Sequence, residues 1–162
     1  SGLRRVAVRV PLERAEEAWN SVHNDDLDDM GGLCTFGRNR QLYYAADALA
    51  QLPGEVEQAQ RYSSQAVDAY TDQNHPEWAF GDAAGSHAAM AITRIVNGEL
   101  DGAADAIAPV LGLPTERRIN GVVHSARRVH QALRQSGRAD DARDLQEEIE
   151  TFIRTPMQSM AR

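Results

Sequence analysis

Several features are scarce or missing in this sequence, and each absence removes a class of protein. Cys34 is the only cysteine in 162 residues, so no disulfide forms within the chain and a reducing cytoplasm is the expected location. No apolar run approaches the ~20 residues that a membrane-spanning helix needs. The start, Ser1-Gly2-Leu3, has neither the apolar stretch of a signal peptide nor an initiator Met. We therefore expect a cytoplasmic chain without membrane contact that is a piece of a longer protein.

Basic residues are outnumbered. The chain carries 17 Lys and Arg against 24 Asp and Glu, for a net charge of −7. Phosphate backbones would repel such a surface unless its basic residues were gathered on one face. The chain is therefore a poor candidate for binding DNA or RNA by itself.

The sequence motifs of the common enzymes are also missing. We find no glycine-rich phosphate loop, no Gly-x-Ser-x-Gly elbow and no His-Glu-x-x-His zinc motif. Ser86 and His87 are adjacent, and neighbouring side chains on a helix point about 100° apart, so they would not pair as nucleophile and base. We interpret Gly81 and Gly85, just before them, as a flat surface for close helix packing. The sequence predicts no enzyme and no cofactor.

Metal-binding patterns are incomplete. An EF-hand loop starting at Asn24 would need glycine and glutamate at its sixth and twelfth positions, where this chain has Asp29 and Thr35. His124 and His130 are six residues apart and fall on different faces of one helix, whereas shared ligation favours a spacing of four. We expect no metal, and we interpret the acidic segment from Asp25 to Asp29 as a solvated loop.

What the sequence does contain is alanine and helical periodicity. Alanine is abundant while Ile and Thr are sparse, which favours helices over strands. Apolar residues recur with the spacing i, i+3, i+4, i+7 of one helix face. These stripes include Leu42, Leu49, Ala59, Ala66, Ile92, Ile95, Ala103, Ile107, Val122, Val129, Leu145 and Ile149.

A short pattern of glycine, an apolar position and alanine occurs three times. The three segments run from Gly54 to Ala59, from Gly98 to Ala103 and from Gly137 to Ala142. Each glycine follows an amphipathic stripe and is expected to end that helix in the left-handed conformation. Each alanine is expected where the two helices of a hairpin approach closely.

This repeat predicts an all-α fold. The pattern resembles the core of tetratricopeptide repeats, so we expect a right-handed array of antiparallel hairpins with about seven helices in one domain. The hairpins are predicted at about 38–74, 77–112 and 117–154, behind an N-terminal helix at about 12–24. The tail, 155–162, is expected to be disordered.

Longer phrases carry a second resemblance, across about residues 31 to 156. They begin at Gly31 (Gly-Gly-Leu-Cys-Thr-Phe), Tyr43 (Tyr-Tyr-Ala-Ala-Asp), Pro76 (Pro-Glu-Trp-Ala-Phe-Gly-Asp) and Leu113 (Leu-Pro-Thr-Glu-Arg-Arg). Together they resemble the C-terminal helical region of actinobacterial transcription regulators of the xenobiotic-response-element class. The resemblance implies a sensing or dimerisation domain whose DNA-reading helix-turn-helix domain lies outside this chain.

Two functional hypotheses follow. In the first, the chain is the non-catalytic sensory or oligomerisation domain of a bacterial regulator, binding a peptide, a small-molecule effector or a protein partner on a helical groove. It would then dimerise and reach DNA only through the missing N-terminal domain. In the second, it is a free-standing tetratricopeptide-like adaptor for protein–protein interaction, which predicts a monomer.

Tyr43, Tyr44 and Asp47 form the first candidate binding site. Two aromatic rings with a carboxylate one turn on are suited to a peptide or an amphipathic molecule. The alternative is that one tyrosine packs in the core while the other stays peripheral.

A basic cluster forms the second candidate site. Arg127 and Arg134 fall on nearly the same helix face, with His124 nearby and Arg128 adjacent, and they would bind an anionic ligand or an acidic segment of a partner. The alternative is a solvated helix face that neutralises nearby carboxylates.

Overall fold

The computed structural model describes residues 37–52 and 54–155. This part of the chain contains six α-helices and no strand, which confirms the predicted all-α class. The helices are α1 Arg38–Ala50, α2 Val56–Ala69, α3 Phe80–Val96, α4 Leu100–Leu111, α5 Asn120–Gln135 and α6 Arg143–Arg154, with short 3-10 helices at Thr115–Arg117 and Ala139–Ala142. The predicted N-terminal helix at 12–24, Cys34, the acidic segment from Asn24 and residues 156–162 lie outside the described residues.

Turns end the helices where glycine was expected. Gly54, Gly98 and Gly137 have φ angles of 83°, 80° and 72°, the left-handed conformation that side chains disfavour. The prediction is confirmed at Gly98 and Gly137, which directly follow the C-caps of α3 and α5, whereas α1 already ends at Ala50 and Gly54 lies in the turn before α2. It is wrong in one detail of the third turn, because Ala142 is only half-buried and ends a 3-10 helix rather than lying inside α6.

Consecutive helices pack in pairs, α1 with α2, α3 with α4 and α5 with α6. The helix α3 also contacts α1, α2 and α5, so it lies at the centre of the described structure. Its apolar stripe was predicted on one face, yet residues on nearly every side of α3 are buried, among them Ala84, Ala89 and Thr93. Alanine is suited to this position because a small side chain lets several helices approach at once.

The predicted stripes form the core. All twelve stripe residues named above are buried or partly buried. Buried hydroxyl groups are satisfied locally, since Ser86 donates to the Asp82 carbonyl at 2.8 Å and Thr93 to the Ala89 carbonyl at 2.8 Å. Among the described residues, no helix is long and apolar enough to cross a membrane.

Glycines allow two close approaches of α3. A Cβ atom at Gly85 would lie within 3 Å of the Tyr43 ring on α1. On the other side, a Cβ atom at Gly121 of α5 would lie 3.7 Å from the Cα atom of Gly81. Gly85 therefore provides the close packing that the sequence predicted, whereas the prediction is wrong for Gly81, because a Cβ atom there would meet no heavy atom within 4 Å.

The last helix presents a charged outer face. Its buried residues are Leu145, Ile149 and Phe152, which face the rest of the bundle. Exposed charges cover the opposite face: Arg143, Asp144, Glu147, Glu148 and Arg154. A polar outer face of this kind suits the terminal element of a helical array.

Candidate functional site: a groove between three helices

An ion pair joins the two candidate sites that the sequence analysis kept apart. The guanidinium Nη1 of Arg128 on α5 donates to the Asp47 carboxylate on α1. The two helices flank α3, so the pair reaches across that helix. The side chains are 16% and 28% exposed, which shields the pair from water and strengthens it relative to one on the open surface.

Beside this pair lies a groove of about 490 Å³, which we call the central groove. It is lined by Ala50, Gln51, Ile92, Ile95, Val96, Gly98, Arg128, Gln131, Ala132, Gln135, Ser136 and Arg138. These residues come from the C-terminal ends of α1 and α3 and from the second half of α5 with the turn after it. The groove therefore exists only because all three helix pairs are packed together.

Apolar and polar residues take different parts of the lining. Ile92, Ile95 and Val96 provide an apolar wall, and Val96 is 49% exposed although its side chain is large and apolar. Gln131 and Gln135 supply amide groups on α5. They follow Arg128 at the spacing i, i+3, i+7, so the three side chains share one helix face.

The charge of the lining is entirely positive. Arg128 and Arg138 are its charged residues, and no lining residue is a carboxylate. The Arg138 guanidinium is held at the rim by Asp141, with 3.1 Å between Nε and Oδ2, and by the Gly98 carbonyl at 3.3 Å. Each of the two guanidinium groups is ion-paired with a carboxylate outside the lining, Arg128 with Asp47 and Arg138 with Asp141.

One hydrogen-bond donor at the groove has no acceptor. The Nη2 atom of Arg128 is buried and has no hydrogen-bond partner in the part of the chain that the structure describes. Leaving a buried donor unpaired costs about 1–3 kcal/mol, and more when the group is charged. An acceptor that reached this atom would remove that cost.

The two tyrosines lie outside the lining. Tyr43 packs over Gly85, and Tyr44 is 47% exposed with its ring centroid 5.2 Å from that of Tyr43. Burial, together with the neighbouring Asp47 carboxylate, raises the pKa of the Tyr43 phenol. This arrangement matches the alternative in which one tyrosine packs inside and the other is peripheral.

The other basic residues of the predicted cluster separate from Arg128. His124, Arg127 and Arg134 are exposed on the outward side of α5, and none of them lines the central groove. Arg134 borders a shallow cleft with His130, whose Nε2 lies 3.0 Å from a Glu150 carboxylate oxygen on α6. The structure thus brings Asp47 and Arg128 together and leaves these three in solvent.

Arg117 and Arg118 have packing contacts. The Arg117 guanidinium lies 4.9 Å from the Phe80 ring centroid, and that of Arg118 lies 4.4 Å from the centroid of Phe152. Arg118 also donates to the Leu113 carbonyl at 3.0 Å and the Thr155 carbonyl at 3.0 Å. Both residues hold the turn before α5 against neighbouring helices.

A second polar cluster was not predicted from the sequence. Asp82 on α3 accepts from Arg40 Nε at 3.0 Å and from the Tyr70 hydroxyl at 3.2 Å. Burial and the Asp82 carboxylate raise the pKa of Tyr70 well above its usual value. These contacts join α1, α3 and the segment after α2, and each group is satisfied by another side chain. We therefore assign this cluster to packing.

Ser86 and His87 bind different partners. The Ser86 hydroxyl is buried and donates to its own helix, whereas His87 Nδ1 donates to the Ala106 carbonyl on α4 at 3.1 Å. Within the described residues, no three His, Cys, Asp or Glu side chains are grouped closely enough to hold a metal ion.

Sequence reasoning missed most of the groove lining. It identified Arg128, but it did not identify Gln131, Gln135 or Arg138. The shared face of Arg128, Gln131 and Gln135 on α5 was a usable signal. The contribution of α1 and α3 was not, because it depends on how helices far apart in sequence are packed.

Comparison of the chain with protein-family models, curated proteins and solved structures finds no significant match.

Proposed function

We propose that this chain is a non-catalytic binding module and that the central groove is its binding surface. The observation that carries the proposal is a groove of about 490 Å³ lined by α1, α3 and α5, one helix of each pair, with a buried guanidinium donor on one of its lining residues. Volumes in the range of about 300–1,000 Å³ are typical of small-molecule sites. Apolar walls with a few placed polar groups are also typical of such sites.

The packing supports a tetratricopeptide-like array as the underlying fold. Helices α1, α3 and α5 pack side by side in that order, and each also packs against the next helix in the chain. Stacked hairpins of this kind place one helix of every pair along a common surface, which is where such arrays bind. The central groove occupies that surface.

We further propose that the module is the cytoplasmic sensory domain of a bacterial transcription regulator of the xenobiotic-response-element class. The support is the sequence resemblance together with the Asp47–Arg128 pair, which connects the first and third helix pairs. A ligand that engages Arg128 would change this connection and shift the packing of α1 relative to α5. Such a shift is a means of transmitting binding to an attached domain or a dimer partner.

The binding proposal is tested by nuclear magnetic resonance with a ¹⁵N-labelled chain and a fragment library of mixed charge. We expect the shifted amides to cluster at 92–98 and 128–138. Ligands should also raise the melting temperature, by an amount that keeps growing with ligand concentration above Kd. Shifts spread over other faces, or none at millimolar concentration, would contradict the proposal.

The regulatory proposal is tested on the natural coding sequence. We expect a helix-turn-helix segment upstream of Ser1, a dimer in sedimentation, and operator binding that changes when Arg128 is replaced. A natural protein without a DNA-reading segment, and monomeric in solution, would favour the adaptor hypothesis instead.

A further inference from the structure

The unpaired donor of Arg128 specifies what kind of atom a ligand should present. Nη1 is already engaged by Asp47, and Nη2 is buried without an acceptor among residues 37–52 and 54–155. A guanidinium group has donors only, so its partner must be an acceptor. A carboxylate is the strongest candidate, because charge-assisted hydrogen bonds are about twice as strong as neutral ones.

The surrounding charge agrees with an anionic partner. Arg138 lies at the rim of the same groove, while Asp47 contacts Arg128 from outside the lining. No carboxylate lines the groove, so an anion would meet two guanidinium groups, each of which it would share with a carboxylate outside the lining, Asp47 or Asp141. A cationic ligand would be repelled by both guanidinium groups and would find no carboxylate in the lining.

The apolar wall specifies the rest of the ligand. Ile92, Ile95 and Val96 on α3 and Ala132 on α5 are apolar residues, and all four line the groove. Val96 is half exposed, and an apolar ligand that covered it would gain about 25 cal/mol for each Å² of apolar surface removed from water. The volume of about 490 Å³ suits a small molecule rather than a folded partner.

We propose that the central groove binds a small organic acid, with its carboxylate on Arg128 and its apolar body against Ile95, Val96 and Ala132. The inference rests on the proposed binding function and names the ligand class for it. Gln131 and Gln135 line the groove on the same face of α5 as Arg128 and offer further amide donors. The ligand therefore has one anionic head and one apolar tail.

Calorimetry with three probes separates the two parts of the ligand. Octanoate has both the charge and the tail, octanamide has the tail alone, and acetate has the charge alone. We expect octanoate to bind and to shift amides at 92–98 and 128–138. Octanamide and acetate should each bind about tenfold more weakly or worse, because each lacks one of the two interactions.

Variants of the protein test whether the ligand carboxylate binds Arg128. Arg128→Gln is combined with Asp47→Asn, so that no carboxylate is left unpaired, and this double variant should lose octanoate binding by about tenfold or more. Arg127→Gln is the matched control, since it removes the same charge from the next residue on the exposed face. The control should keep the parent affinity. Val96→Ser should weaken octanoate while leaving acetate unchanged.

The outcomes distinguish failure of this inference from failure of the proposed function. Equal affinities for octanoate and octanamide, or equal losses in Arg127→Gln and in the double variant, would overturn carboxylate recognition. Failure of all three probes, with library fragments still shifting the groove amides, would overturn the organic acid alone. If neither probes nor fragments shift those amides, both proposals are wrong. Circular dichroism of every variant verifies that the fold is retained.

Discussion

At the scale of single residues, Gly98 and Gly112 both follow a helix, but replacing them with alanine should have opposite effects on stability. Gly98 has a φ of 80°, whereas Gly112 has an ordinary φ of −78°. Alanine at Gly98 would occupy the left-handed region, which costs about 1–2 kcal/mol. Alanine at Gly112 fits the native backbone and restricts the unfolded chain, which stabilises by about 0.4–1 kcal/mol.

We therefore expect Gly98→Ala and Gly112→Ala to change the free energy of unfolding in opposite directions. Urea denaturation followed by circular dichroism measures both. If the two variants have the same stability, the left-handed turn at Gly98 does not determine where α3 ends.

His87 should make the stability of the protein depend on pH. Burial lowers its pKa, opposed by its hydrogen bond to the Ala106 carbonyl. A pKa below the unfolded value of about 6.5 means that the neutral ring is the stable form in the fold. The stability that His87 contributes is therefore complete above that pH and is lost as the pH falls through the folded pKa.

We expect His87→Gln to flatten the fall in stability below about pH 6.5. Thermal denaturation across the pH range measures this effect. His124→Gln is the control, because it makes the same replacement at a histidine that is exposed to solvent. A parent-like profile in His87→Gln would show that His87 protonation does not limit stability.

At the scale of helices, the approach of α1 to α3 depends on the fit between Tyr43 and Gly85. A Cβ atom at Gly85 would lie within 3 Å of the tyrosine ring, so Gly85→Ala should cost about 1–3 kcal/mol by overpacking. Gly81→Ala is the control, since no heavy atom lies within 4 Å of its Cβ position. Truncating the ring with Tyr43→Ala should remove the penalty of Gly85→Ala, as a double-mutant cycle in urea would show.

The strength of the ion pair between α1 and α5 can also be measured. The Asp47–Arg128 pair is largely shielded, whereas the Arg138–Asp141 pair is 49% and 61% exposed. We expect a coupling free energy of about 1–3 kcal/mol for the first pair and about 0–1 kcal/mol for the second. Double-mutant cycles with Asn and Gln replacements measure both. Equal couplings would mean that the Asp47–Arg128 pair does not join the helices.

The same two helices show how far the sequence predicts the structure. Local features were predictable, because the left-handed turns at Gly54, Gly98 and Gly137 and the apolar stripes depend on neighbours within one or two helical turns. The site was predicted only in part. Asp47 and Arg128 were both identified, but their pairing depends on how α1, α3 and α5 pack, and no local pattern records that.

At the scale of the whole molecule, α3 should be the most stable element of the described structure. It contacts α1, α2, α4 and α5, and its residues are buried on nearly every side. The terminal helix α6 packs mainly against α5 and presents a charged face to water. Opening α6 therefore requires the loss of fewer helix contacts than exposing α3 does.

The amides of α3 should therefore be better protected against native-state hydrogen exchange than the amides of α6. We expect amides of α3 between Ala88 and Ile95 to exchange only through global unfolding, with the free energy measured in urea. Amides of α6 should exchange through a local opening of lower free energy, and Ile149→Ala should lower that value further by removing a buried side chain. Equal protection of α3 and α6 would instead indicate one cooperative unit. In that case a ligand in the central groove would stabilise all six helices together, whereas in the graded molecule it would mainly raise the protection of α1, α3 and α5.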